Sequence, residues 1–287
     1  MPKILIAGCG YVGEATADVF HQAGWTVEGW ALSNESAEKL GHKPYPVIAV
    51  DIANAHEVCR RPENFDAVIH CASTGGGNAA AYRRVYLVGA RNLLDRFVGS
   101  TILFTSSTSV YAQDDGSWVT EESETSPDRE TGRILLETEK LILSGGGVVA
   151  RLAGIYGPHR SALLKKFQAG DARTDSENDR FVNQAHRDDI AAALFLLLTR
   201  REVRGIYNVV DDEPILLSTC YDWLAKKLKK PVAAEGKSAL NRKRGSSNKR
   251  VSNSKLRALG WTPKYPTFAE GMERSILPSQ NVSRSTA

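Results

Sequence analysis

The chain has 287 residues, 42% hydrophobic and 24% charged, with a formal net charge of only +4. That is an ordinary soluble composition, long enough to bury roughly three quarters of the unfolded surface, and it does not read as a whole-chain nucleic-acid binder. The four cysteines (Cys9, Cys59, Cys71 and Cys220) have neither CxxC nor zinc-ligand spacing, so no disulfide framework and no metal site is expected, and the reducing cytoplasm fits best.

In chain order, short apolar runs at 4–7, 26–30, 47–50, 67–71, 102–105 and 148–152 predict strands buried on both faces. Helical patterns at 12–22, 82–98 and 129–143 fall between them. The alternation predicts an α/β fold of Rossmann type, a doubly wound parallel sheet with helices on both faces, over residues 1–153. Residues 154–287 are then mainly a smaller α/β substrate-binding part, with some segments returning to the first. There the sequence predicts a loop at 154–160, a polar stretch at 170–180, a helix at 188–200 and a strand at 206–210. A helix at 219–229 and a basic loop follow. Thr219 and Asp222 have the spacing of a helix start. The final NVSRSTA is polar and predicted to fray. The longest apolar run, Ile190 to Leu198, falls well short of the about 20 residues of a membrane span, and the run at 4–7 is too short for a secretory signal.

The first strand runs into Gly8-Cys9-Gly10-Tyr11-Val12-Gly13 and then a helix. This is the context in which GxGxxG binds a dinucleotide. Gly8 permits the tight turn, Gly10 lets the backbone approach the pyrophosphate, and Gly13 lets the helix pack on the strand. The helix N-terminus offers N–H groups to the anion. Cys9 is either small enough for the turn or a thiol whose pKa the helix lowers. An acid at the end of the second strand would bind the ribose of NAD. Glu28 comes too early, and Ser33 and Asn34 stand there instead, which favours NADP slightly over NAD. Asp51, after the third strand, suits the adenine or caps the next segment.

Further along, the chain resembles the extended short-chain dehydrogenase/reductases, the NAD(P)-dependent epimerase/dehydratase group. The resemblance rests on GCGYVG, Asp51-Ile52, HCAST (70–74), SSTSVYA (106–112), RLAGIYGPHR (151–160), NQAHRDDIA (183–191) and YNVVDDEP (207–214). It implies a nicotinamide coenzyme against Cys71, Ala72 and Ser73, and a small-molecule substrate of sugar or nucleotide-sugar type near Thr74. It also implies a Ser working with a Tyr-x-x-x-Lys pair, in which Lys lowers the Tyr pKa so that the phenol passes a proton. Ser107 matches the Ser. Thr131 stands where Tyr would and Leu135 where Lys would, and residues 113–155 hold no Tyr at all. The chain is an atypical member, and Tyr111 and Tyr156, which follow strand ends, are the candidate catalytic phenols that could supply the proton instead or simply pack the cleft. His186 with Asp188 and Asp189 reads as a helix opening rather than a metal site.

Residues 221–260 carry twelve Lys or Arg against two acids, a solvated face or a surface for phosphate-bearing ligands. By the resemblance, Arg173, Arg242 and Arg244 fall where substrate is contacted. GKSALNRKRGSSNKR (236–250) has no aromatic for base stacking, so nucleic acid is not an expected partner. A homodimer is expected by family analogy only. A cofactor-binding protein without turnover is the competing expectation.

Overall fold

The computed structural model describes residues 1–200, 202–236 and 247–282. They group into two compact units. The first comprises Met1–Val110, Thr125–Leu152 and Ile190–Tyr207; the second comprises Tyr111–Glu124, Ala153–Asp189 and the chain from Asn208 on.

The first unit is built on a seven-stranded sheet. Its elements in chain order are β1 (Lys3–Ala7), α1 (Tyr11–Gln22), β2 (Thr26–Ala31), α2 (Asn34–Glu38), β3 (Val47–Ala49), α3 (Ala55–Cys59) and β4 (Ala67–His70). Then come α4 (Ala79–Tyr82), a π-helical stretch (Arg83–Val88), α5 (Gly89–Arg96), β5 (Thr101–Ser107), α6 (Glu130–Ser144), β6 (Val148–Leu152) and β7 (Gly205–Val209). The strand order is β7-β6-β5-β4-β1-β2-β3, and β1 to β6 pair in parallel. Ala7 is in register with Trp30 of β2 on one side and His70 of β4 on the other. The winding therefore reverses at β1, which makes the carboxyl ends of β1 and β4 the switch point where ligands bind in open α/β sheets. Ile4, Leu5, Ile6, Val68, Ile69, Leu103 and Phe104 are wholly buried, as strands covered on both faces should be.

Side-chain caps set several helix starts. Ser33 Oγ accepts the Ser36 N–H at 3.3 Å. Asn78 Oδ1 accepts the Ala81 N–H at 3.1 Å, so the helix expected from residue 82 begins at Ala79, and it ends at Arg96. Its π-helical stretch is tied to the sheet: His70 Nε2 lies 3.2 Å from the Tyr86 carbonyl.

The second unit is made of short strand pairs and helices. Gly154–Tyr156 pairs with Gln184–His186, Phe181–Val182 with Ile215–Leu216, Arg173–Thr174 with Ala234–Glu235, and Trp118–Val119 with Arg250–Val251. Its core gathers Tyr156, Leu164, Phe167, Tyr221, Leu224, Phe268 and Met272. Three expectations change here. The loop at 154–160 opens with a strand, because Gln184–His186 supplies it with backbone partners. The helix expected from Thr219 starts at Leu217 with no side-chain cap, so the Thr219/Asp222 spacing is not its start. The end of the basic loop is a strand at Arg250–Val251; residues 237–246 of that loop lie outside the described residues, as do the last five residues of the polar tail.

Candidate dinucleotide site

The turn after β1 is dictated by its glycines. Gly8 has φ +107°, and a Cβ there would sit 2.1 Å from the Ala72 nitrogen. A Cβ on Gly13 would fall 2.2 Å from the Gly8 carbonyl oxygen and 3.0 Å from Cys71 Sγ. Around Gly10, by contrast, nothing lies within 4 Å of a built Cβ. Two of the three positions are closed by the chain itself, and the third opens outward. The Gly8 and Cys9 N–H groups donate to the Trp30 carbonyl at 3.0 and 2.7 Å, and the Glu14 N–H donates to the Gly10 carbonyl at 2.7 Å to open α1. Tyr11 and Val12 form its first turn, with Val12 and Gly13 buried. This is a concave turn at the positive end of a twelve-residue helix, and it fits a pyrophosphate.

Cys9 is a packing residue here. Its sulfur fills the space that glycine leaves at position 29, where a Cβ would be 2.8 Å away. Burial, with Glu14 and Asp18 nearby, pushes the thiol up to about 12. Of the two readings of Cys9, the small residue of the turn is the one this favours over a thiol lowered by the helix end, because desolvation outweighs the dipole. Burial also raises the Cys71 thiol, which donates to the Gly8 carbonyl at 3.2 Å.

Within β2, Glu28 accepts the Trp30 indole N–H at 2.7 Å. Ser33 caps α2, and Asn34 is its exposed first residue. Asp51 is fully engaged. One oxygen accepts the Ala53 N–H at 3.0 Å, and the other pairs with Arg84. Ile52 is buried against Gly89. After β4, Ala72 is half-buried and Ser73 exposed, and Thr74 Oγ1 accepts the Gly76 N–H at 3.3 Å.

Ser107, at the end of β5, accepts the Ser109 N–H at 3.2 Å. On α6, Thr131, Leu135 and Glu139 are spaced by four and share a face. Thr131 is half-buried and Leu135 buried. Glu139 is the charged member of this stripe. It accepts Ser106 Oγ at 2.5 Å, and Arg151 Nε at 3.1 Å and a terminal guanidinium N–H at 2.7 Å. Glu139 and Arg151 are 2% and 3% exposed. The sequence does not single out this network, because the partners of Glu139, Ser106 and Arg151, come from two other strands.

The two phenols lie in the second unit, and both are enclosed. Tyr111 donates to Asn208 Oδ1 at 2.9 Å. Tyr156 is wholly buried and its hydroxyl has no hydrogen-bond partner among the described residues. A Cβ on Gly271 would lie 2.0 Å from that hydroxyl, so only glycine fits there. Burial, with Asp211 and Asp189 adding to it, pushes the Tyr156 phenol well above its ordinary range. In the same unit His186 bonds Ser275 Oγ at 2.8 Å and accepts the Asp188 N–H at 3.1 Å. Asp189 accepts the Lys264 and Tyr265 N–H groups at 2.6 and 3.0 Å. Arg173 turns back onto the Gly170 and Ala172 carbonyls, both at 2.7 Å. Arg242 and Arg244 lie outside the described residues.

The chain is similar to known proteins along most of its length. The profile of the NAD dependent epimerase/dehydratase family matches residues 4–134, the part that holds the glycine turn and the start of α6. Protein YeeZ of Escherichia coli K12 is 30% identical over 223 residues, 73% of this chain and 77% of YeeZ. Among solved structures, a Methylobacillus flagellatus protein provisionally described as an NAD-dependent epimerase/dehydratase superposes with a TM-score of 0.77 at 26% identity, covering 99% of both chains. A UDP-glucose 4-epimerase from Thermus thermophilus, solved in complex with NAD, shares the fold with a TM-score of 0.79 at 21% identity, over 94% of this chain and 96% of that one. With its glycine cradle at the switch point of a parallel sheet, the chain belongs to the NAD-dependent epimerase/dehydratase family.

Proposed function

We propose that the protein is an NAD(P)-dependent oxidoreductase or epimerase acting on a sugar or nucleotide-sugar-like substrate, with a proton donor outside the usual Tyr-x-x-x-Lys pair. The observation that carries this reading is the glycine cradle, closed by the chain at Gly8 and Gly13 and open at Gly10. The bound coenzyme supplies hydride exchange at its nicotinamide ring. The chain's own residues hold its pyrophosphate at α1 and its ribose near Ser33 and Asn34, with Cys71, Ala72 and Ser73 lining the switch point. NADP is favoured because Glu28 is turned to Trp30 and no acid stands at the end of β2.

Ser107 holds the substrate oxygen in this reading, with Thr74, Thr131, Arg173, Arg242 and Arg244 as further contacts. The enclosure of Tyr111 and Tyr156 argues for packing rather than proton transfer. The likeness to a UDP-glucose 4-epimerase supports a phosphate-bearing substrate, and family analogy supports a cytoplasmic homodimer. Among the described residues no helix is long and apolar enough to cross a membrane.

One observation favours a second reading, a silent NADP(H)-binding sensor: α6 offers Thr131 and Leu135 in place of an acid–base pair. A screen of sugar nucleotides, read by NADPH or NADH absorbance for net oxidoreduction and by chromatography of the sugar for epimerisation, separates the two. The oxidoreductase reading expects turnover that Ser107→Ala cuts at least tenfold while coenzyme affinity holds. Coenzyme binding with no turnover on any of them favours the sensor.

A further inference from the structure

The helix that meets the pyrophosphate carries acids close to where an anion is to sit. Glu14 lies in the first turn of α1, and Asp18 follows one turn on. A like-charge pair at this spacing is unfavourable in itself, and both carboxylates oppose an anion at the helix N-terminus. Lys43 answers them from outside the helix. Its ammonium lies 2.7 Å from a Glu14 oxygen and 2.8 Å from an Asp18 oxygen.

The segment that brings Lys43 there is pinned at several points. The Lys43 N–H donates to the Leu40 carbonyl at 3.0 Å, and the Pro46 carbonyl accepts the Gly29 N–H at 2.9 Å. Tyr45 is buried and donates its hydroxyl to Asp18 at 2.6 Å. The Lys43 side chain is 13% exposed, against 32% and 34% for Glu14 and Asp18. Burial works against its charge, but the bonds to Asp18 and Glu14 outweigh it and hold the ammonium above its ordinary range. Lys43 is therefore a fixed cation near neutral pH. The field of the trio reaches the glycine turn: at Cys9, after the effect of burial, Glu14 and Asp18 push the thiol up and Lys43 pulls it down.

We propose that Lys43 is a positioning residue for the coenzyme, offsetting the two carboxylates of α1 so that the helix N-terminus keeps a favourable field for the pyrophosphate. This rests on the coenzyme-binding reading above. The effect is one of charge and needs no contact between Lys43 and the coenzyme. Helix rise puts Glu14 about 6 Å along the axis from Gly10. A single charge about 10 Å from a doubly charged anion is worth about fourfold in affinity at the dielectric of water.

The test is calorimetric titration of the full-length protein with NADPH and with NADH, at low and at high salt. Lys43→Met should weaken both coenzymes by the same factor, about fourfold or more at low salt. The loss should fade at about 0.5 M NaCl, where the Debye length is about 4 Å. Lys43→Arg should bind as the wild type does. The triple variant Glu14→Gln, Asp18→Asn, Lys43→Met, which removes cation and carboxylates together, should bind at least as tightly. Unchanged affinity in Lys43→Met overturns the proposal. So does a loss that persists in the triple variant or at high salt, which marks a packing role, and so does a loss confined to NADPH, which marks a contact with its 2′-phosphate. No binding of either coenzyme by the folded wild type sinks the reading beneath instead. Should Lys43→Met fail to fold, Glu14→Gln with Asp18→Asn and Lys43 kept should tighten both coenzymes at low salt, and unchanged affinity there overturns the proposal.

Discussion

Gly8 and Gly10 lie two residues apart and are glycine for different reasons. At Gly8 a side chain meets the Ala72 backbone at 2.1 Å with φ at +107°. Gly8→Ala should cost about 1–3 kcal/mol of stability, as a strained left-handed position does, and weaken dinucleotide binding at least tenfold. At Gly10 the added methyl meets nothing of the chain. Gly10→Ala should leave urea unfolding nearly unchanged and lose binding alone. Urea denaturation together with a coenzyme titration checks both, and equal destabilisation by the two would contradict the distinction. The spacing of the glycines was plain in the sequence, because each conformational demand acts within a few residues. The state of Cys9 was not: its burial comes from Gly29, on a different strand.

Among the elements, α6 carries the departure from the family. Its face presents Thr131, Leu135 and then Glu139, which grips Arg151 of β6 and Ser106 of β5. Glu139→Gln leaves the guanidinium buried without its counter-charge and should cost about 3–5 kcal/mol in urea unfolding, whereas replacing both partners by Leu and Met should recover most of it. A double variant as weak as the single would contradict this account. Thr131 and Leu135 were found by register, since helical spacing is periodic. Which glutamate on an amphipathic helix turns inward is decided by partners from other strands, and local pattern does not carry that. The early start of the helix at Ala79 was nearer to hand, because Asn78 is a local cap. Its π-helical stretch meets His70, sixteen residues before Tyr86, a contact that was not legible.

For the molecule as a whole, pH acts on each unit through buried groups. Asp211 is 4% exposed, its carboxylate oxygens have no hydrogen-bond partner of normal geometry among the described residues, and the nearby Glu213 N–H offsets the burial only in part. Burial holds its pKa well above the ordinary range. The protonated form is the one that folding favours, so the stability cost grows as pH rises past about 4, where the unfolded carboxyl ionises. Asp211→Asn should therefore raise Tm at pH 7 by about 2–4 °C, the shift of roughly 1 kcal/mol in a chain of this size, and the gain should vanish below about pH 4. A gain equal at both pH values would contradict the assignment. His70 acts with the opposite sign. Burial pushes it down to about 4, so its contribution is complete above pH 6.5 and is lost as pH falls toward 4. The advantage of the wild type over His70→Gln in urea should shrink over that range. The sheet, its parallel order and the strand–helix alternation were legible from apolar runs. The short strand pairs of the second unit were not, because two- and three-residue strands have too little periodicity to read.

The central claim is that the turn at Gly8–Gly13 holds a pyridine dinucleotide. The most direct measurement is a calorimetric titration of the purified protein with NADPH, NADH, NADP and NAD. The account predicts saturable one-site binding of at least one of them, tighter for the NADP forms, and its loss in Gly10→Ala. No binding of any of the four by the folded protein would contradict it, leaving the glycine turn a feature of packing alone.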